Sequence, residues 1–140
     1  MPSIALARLP TPIHHLERLS AELGVELHAK RDDLTGFGLS GNKVRKLELL
    51  LGDALEAGAT AVVTCGGVQS NHCRATAVAA RQLGLEPHLL LRSDVSDPLH
   101  GNRLLDALLG ATVHPCTPAA YANERNALMA AIAADIDAAG

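Results

Sequence analysis

Aromatic side chains are almost missing from this chain. Phe37 and Tyr121 are the only two, and tryptophan is absent. A core without rings must be packed from Ala, Leu and Val, and the stacking platforms that hold single-stranded nucleic acid are lacking. Charge is scarce as well. Charged residues make up 19% of the sequence, with a net charge of -3. That leaves no basic footprint for DNA or RNA, so no nucleic-acid partner is expected. Cysteine is limited to Cys65, Cys73 and Cys116, an odd number with no C-x-x-C pair. Free thiols in a reducing compartment are expected, not a disulfide framework. The histidines (14, 15, 28, 72, 88, 100 and 114) show neither HExxH nor zinc-ribbon spacing, and no metal is expected. No apolar run reaches the ~18 residues of a membrane span. The opening MPSIALARLPTP is too short in apolar residues for a signal peptide. The expectation is a soluble, cytoplasmic protein without a membrane partner.

What is present suffices for a core. The chain has 140 residues, 48% of them hydrophobic. Residues 1–13 read as an arm, because Pro10-Thr11-Pro12 excludes a regular helix or central strand. A short helix is expected over His14–Leu23, with Leu16, Leu19 and Leu23 at helical spacing and Gly24 as its stop. Val25–Lys30 alternates like a strand. Arg31–Gly41 is a glycine-punctuated loop. A helix then runs from about Asn42 to Ala57, with Val44, Leu47, Leu50, Leu51, Ala54 and Leu55 as its apolar face.

From there a regular alternation follows. Ala61–Cys65 suits a buried parallel strand, Gly66–Gln69 a turn, and Ser70 the N-cap of a helix to about Leu83. Strands are expected at Glu86–Leu91 and Ala111–His114. Helices are expected over Gly101–Leu109 and 119–138, with loops at Ser93–Pro98 and Pro115–Pro118. The order β-α-β-α-β-α predicts an α/β fold: a parallel sheet with helices on both faces.

Two stretches could carry chemistry. In Leu39-Ser40-Gly41-Asn42-Lys43-Val44-Arg45-Lys46-Leu47-Glu48, a lysine stands in the first turn of a helix. The unpaired N–H groups there, with Arg45 and Lys46, disfavour an ammonium. The neutral amine of Lys43, the form that makes Schiff bases, is favoured. A solvated surface lysine is the plain alternative. The second stretch is Cys65-Gly66-Gly67-Val68-Gln69-Ser70-Asn71-His72, at the carboxyl end of a strand, where open parallel sheets bind ligands. Its glycines allow close backbone approach, and the helix N-terminus offers donors to an anion. Capping alone would also account for Ser70 and Asn71, and His72 could be a satisfied polar residue.

Other motifs are weaker. Neither GxGxxG nor Walker A is present. A Ser70–His72 hydrolase lacks the G-x-S-x-G elbow. Cys65 and Cys73 could be reactive near a helix N-terminus, although a buried strand position is the better expectation for Cys65. Arg31-Asp32-Asp33 could be taken for a metal-binding acid pair, but local hydrogen bonding in a loop is favoured.

Together Leu9-Pro10-Thr11-Pro12, Lys30–Gly36, Leu39–Glu48 and Thr64–His72 resemble the pyridoxal-phosphate enzymes of the D-cysteine desulfhydrase and 1-aminocyclopropane-1-carboxylate deaminase group, of the tryptophan-synthase-β-like fold (fold type II). The match covers about residues 9–92. The resemblance implies pyridoxal 5'-phosphate as cofactor, linked through Lys43. It implies Asn71 against the cofactor's phenolic oxygen, Ser70 on the substrate carboxylate or in proton transfer or attack, His72 as in the desulfhydrase branch, and Gln69 and Asn42 shaping the same pocket. The implied reaction is α,β-elimination from D-cysteine to pyruvate, ammonia and sulfide. The alternatives are the cyclopropane deaminase reaction and an inactive domain that serves as an interaction module. The family's glycine-rich phosphate loop has no counterpart in this sequence. The resemblance therefore implies the N-terminal part of a two-domain enzyme that is homodimeric when full length. Residues 1–41 would belong to the larger domain, and 42–140 would form the lysine helix and the smaller domain.

Overall fold

A computed structural model describes residues 3–36, 38, 41–93 and 99–139. The loop expected at Ser93–Pro98 and the motif residues Leu39 and Ser40 therefore lie mostly or wholly outside the described residues. The first elements are β1 (Ile13–His15), α1 (Glu17–Leu23), β2 (His28–Lys30) and a 3₁₀ turn (Asp32–Leu34). The alternation then follows as α2 (Lys43–Glu56), β3 (Ala61–Gly67), α3 (Asn71–Gln82), β4 (Glu86–Arg92), α4 (Gly101–Leu108), β5 (Thr112–Cys116) and α5 (Pro118–Ala139).

The strands β3, β4 and β5 form one parallel sheet in that order, with Cys65 beside Leu90 and Leu90 beside His114. Alternation along β4 assigns the two faces. Leu89 and Leu91 point to α3, where they pack with Cys73 and Ala77. His88 points the other way, into a cavity shared with Ile132 and Ile136 of α5. Helices thus cover both faces. Ala75, Ala77, Ala79 and Ala80 of α3 are fully buried. Their small side chains let the helix lie close to the sheet, which is how a core nearly free of aromatics fills its volume. Val44, Leu47 and Leu51 of α2 join Ala75, Ala79, Ala80 and Leu85 in a second cluster. Each such aliphatic side chain contributes roughly 1.5–3 kcal/mol by leaving water.

Several expected boundaries are corrected. His14 belongs to a strand, not a helix: β1 pairs antiparallel with β2, His14 opposite Ala29. That pairing joins segments 15 residues apart in sequence, so local periodicity could not report it. The strand expected from Val25 begins only at His28. Gly66 and Gly67 continue β3 instead of turning. Pro115 and Cys116 extend β5, where an edge position tolerates the missing proline N–H. The buried face of α2 is narrower than expected, since Leu50 and Leu55 are exposed.

Candidate active site

The lysine helix is held by charge as well as by packing. Arg45, in the first turn of α2, forks onto Asp32, Nε at 2.7 Å from Oδ2 and a terminal nitrogen at 2.8 Å from Oδ1. Thr11 donates to the same carboxylate at 2.9 Å, and the Gly41 amide donates to the Asp32 carbonyl at 2.8 Å. The Arg45 hydrogen bonds, and then that of Thr11, hold the Asp32 carboxyl down to about 2. Asp33 pairs with Arg31 instead, at 2.6 Å. The acid pair is therefore a clamp on the loop, and no cluster fit for a metal exists among the described residues. One turn further along α2, Glu48 accepts the Leu6 and Ala7 amides, each at 2.9 Å. The arm is thereby stitched to the helix.

Lys43 opens α2 in a half-buried position. Its ammonium donates to the Asn42 side chain at 2.9 Å. Asn42 precedes the helix, but its side chain makes no capping bond.

The second stretch turns out of β3 into α3. The Ser70 amide donates to the Gly67 carbonyl at 3.0 Å, closing the turn. Ser70 caps α3, its Oγ accepting from the Cys73 amide at 3.2 Å. Gly66 is the position that makes this possible. A Cβ there would lie 2.6 Å from Ser70 Oγ and 2.7 Å from Cys73 Sγ. His72 Nε2 sits 3.1 Å from Thr64 Oγ1, while Nδ1 is buried without a hydrogen-bond partner. Burial, and then the charges of Lys46 and Lys43, push the His72 imidazole below its usual range. Burial and the two lysine charges thus favour the neutral form of His72.

Gln69 and Asn71 are joined by a residue that sequence reasoning missed. Asn102, in the first turn of α4, donates from Nδ2 to the Gln69 carbonyl and to Asn71 Oδ1, both at 2.9 Å. The only local signal was a polar residue after a glycine at a helix start. Thr64, the partner of His72, was equally unmarked. Cys73 is in the first turn of α3, but burial raises its thiol to about 11 and leaves it unreactive. Cys65 is half-buried in β3, with the Tyr121 hydroxyl 3.7 Å from its sulfur.

The arrangement has the chemistry of a site for an anionic, carbonyl-bearing ligand. Lys43 stands at the N-terminus of α2, and the Ser70 hydroxyl and the N-terminus of α3 stand at the carboxyl end of β3. The space beside Gly66 is filled by the chain's own Ser70 and Cys73, whereas the buried, unpartnered Nδ1 of His72 fits a polar group seated at that turn. The fold defines the class: an α/β domain with a parallel sheet covered by helices.

The family follows from comparison. A family model described as pyridoxal-phosphate dependent enzyme matches residues 4–139, and the chain belongs to that family. A Thermotoga maritima protein provisionally named 1-aminocyclopropane-1-carboxylate deaminase is 53% identical over 84% of this chain and 38% of its own length. The mitochondrial bifunctional D-cysteine desulfhydrase/1-aminocyclopropane-1-carboxylate deaminase of Arabidopsis thaliana is 48% identical, over 86% of this chain and 31% of its own. A crystal structure of an ACC deaminase homologue superposes with a TM-score of 0.77 at 48% identity, covering 82% of this chain and 35% of that one. The chain spans about a third of the length of the curated relatives it matches. Its fold is that of part of a fold type II enzyme of this family, and the family's cofactor is pyridoxal phosphate. No helix among the described residues is long and apolar enough to cross a membrane.

Proposed function

We propose that this chain carries the lysine and the substrate-facing turn of a pyridoxal-phosphate-dependent lyase, with α,β-elimination from D-cysteine to pyruvate, ammonia and sulfide as its reaction. The carrying observation combines place and charge. Lys43 opens α2, and the Gln69–His72 turn leaves the carboxyl end of β3. Burial, then the charges of Lys46 and Lys43, lower the His72 pKa, in a chain matched over residues 4–139 by the pyridoxal-phosphate dependent enzyme family. When bound, the cofactor supplies an electron sink for the bond broken at the substrate's Cα.

The chain's own residues do the rest. Lys43 would hold the cofactor through its amine, and the same amine would serve as the base at the substrate's Cα. Asn42 holds that amine in place. Asn71 would hold the cofactor's phenolic oxygen through its side-chain NH2. Ser70 accepts from the Cys73 amide, so its hydroxyl proton remains available to donate to the substrate carboxylate. The α3 N-terminus adds to that carboxylate site, and Gln69, whose side chain is held by the start of α4, shapes the turn. His72, neutral and half-buried, contributes a polar wall without a charge.

Treatment of the protein with pyridoxal phosphate and borohydride should label Lys43, as read by peptide mass mapping. A label on Lys30 or Lys46 instead, or no label, removes the proposal. The names of the relatives favour a second reading on the same site, deamination of 1-aminocyclopropane-1-carboxylate. Release of sulfide from D-cysteine, or of 2-oxobutyrate from the cyclopropane acid, separates the two. The same reading takes the protein as cytoplasmic and homodimeric, acting on a small amino acid. It assigns residues 1–41 to the larger domain and 42–140 to the smaller.

A further inference from the structure

The first turn of α4 is built around the Gln69 side chain. Gln69 Oε1 accepts from the Asn102 backbone amide at 2.8 Å, and Nε2 donates to the His100 carbonyl at 3.1 Å. An orphan N–H of the helix start is thereby satisfied from another element. Gly101, at φ +53°, lies directly beneath that carboxamide, and a Cβ there would overlap Gln69 Oε1. Asn102 answers with its own side chain. One amide nitrogen has two protons, and Asn102 gives one to the Gln69 carbonyl and one to Asn71 Oδ1. Neither acceptor can change roles: a carbonyl oxygen cannot donate. The Asn71 atom facing α4 is therefore its oxygen, because turning that amide over would set NH2 against NH2.

We propose that Asn102 is a positioning residue that holds the Asn71 amide with its NH2 free for a ligand. The start of α4 then belongs to the site, although it makes no contact with the ligand in this scheme. The ligand atom is an anionic oxygen. On the functional reading above, on which this rests for the ligand's identity, it is the phenolic oxygen of pyridoxal phosphate.

The two roles Asn102 could have make opposite predictions. If it only fills space, Asn102→Asp, which keeps the shape, is milder than Asn102→Ala. If it acts as a donor, Asp is the worse change. Its carboxylate attracts the Asn71 NH2, turns the amide over and offers an oxygen to an oxygen. Affinity for pyridoxal phosphate, read by absorbance titration, should fall about 10-fold in Asn102→Ala and about 100-fold in Asn102→Asp, while thermal midpoints of the two variants stay within a few degrees of each other. Asp binding the cofactor as well as Ala, or better, overturns the proposal.

A second readout needs no cofactor. In the 15N-labelled protein, the Asn71 side-chain NH2 resonances should move strongly in Asn102→Asp, where they gain an acceptor, and little in Asn102→Ala. Resonances that move alike in both variants overturn the assignment. If the parent protein fails to take up cofactor on Lys43, the functional reading fails by itself, and the resonances still decide the role of Asn102.

Discussion

Gly66 shows how much one hydrogen atom decides at the residue scale. The turn from β3 into α3 brings Ser70 and Cys73 so close that a methyl group has no place, with Ser70 Oγ and Cβ and Cys73 Sγ all within 2.7 Å of it. Gly66→Ala must push the cap out of line or bend the strand. We expect a loss of stability on the order of 2 kcal/mol or more, from overpacking together with a weakened N-cap. Gly67→Ala is the matched control, since its Cβ would meet nothing nearer than Arg92 at 3.7 Å. Urea midpoints of the two variants check this, and equal losses would contradict it. Much of this turn was legible in the sequence, because a double glycine followed by Ser, Asn and His is local chemistry. Asn102 and Thr64 were not, because each acquires its partner only when the chain returns from 31 and 8 residues away.

Elements depend on the same distinction. The regular β-α alternation after residue 60 could be read from apolar runs and helix stops, because each element buries its own face. The opening segment could not. Helix α1 buries no residue, and Leu19 and Leu23 remain exposed despite their helical spacing. The start of α2 is likewise tied down by a non-local charge pair, beside the buried Val44, Leu47 and Leu51. Asp32 lies in the 3₁₀ turn, and its carboxyl is held down to about 2 by Arg45 and then Thr11. Its unfolded value is about 3.9. A depressed carboxyl stabilises the fold above its unfolded value, and that stabilisation is lost as pH falls from about 4 toward 2. Asp32→Asn should therefore lower the thermal midpoint at pH 7 and remove this part of the acid transition. A variant as stable as the parent at pH 7, with the same fall below pH 4, would show that the fork does not hold the lysine helix.

Across the whole molecule, titrating groups of opposite sign set the pH profile. Burial, and then His88, pushes His114 below its usual range, as burial and lysine charge do His72. Such groups stabilise the fold above about pH 6.5, and that contribution fades as acid protonates them in the unfolded chain first. Asp106 opposes them. It is 1% exposed between α4 and α3, and neither carboxylate oxygen has a hydrogen-bond partner. Burial raises it to about 6, with Arg103 and Arg74 only partly offsetting the effect. A carboxyl raised above its unfolded value of about 3.9 weakens the fold once ionised. The penalty is absent below pH 4, grows to about pH 6 and is complete above it. In the parent, acidification from pH 6.5 to 4 therefore relieves Asp106 while it weakens the histidine contributions, and the two changes partly cancel. Asp106→Asn leaves the histidine trend alone. It should gain on the order of 1 kcal/mol at pH 8, from removal of an uncompensated buried charge, and nothing at pH 4. Its stability should consequently fall more steeply with acid than the parent's. Denaturant midpoints at pH 8, 6 and 4 measure this directly. A gain at pH 4 equal to that at pH 8 would mean that the Asp106 charge does not weaken the fold at neutral pH.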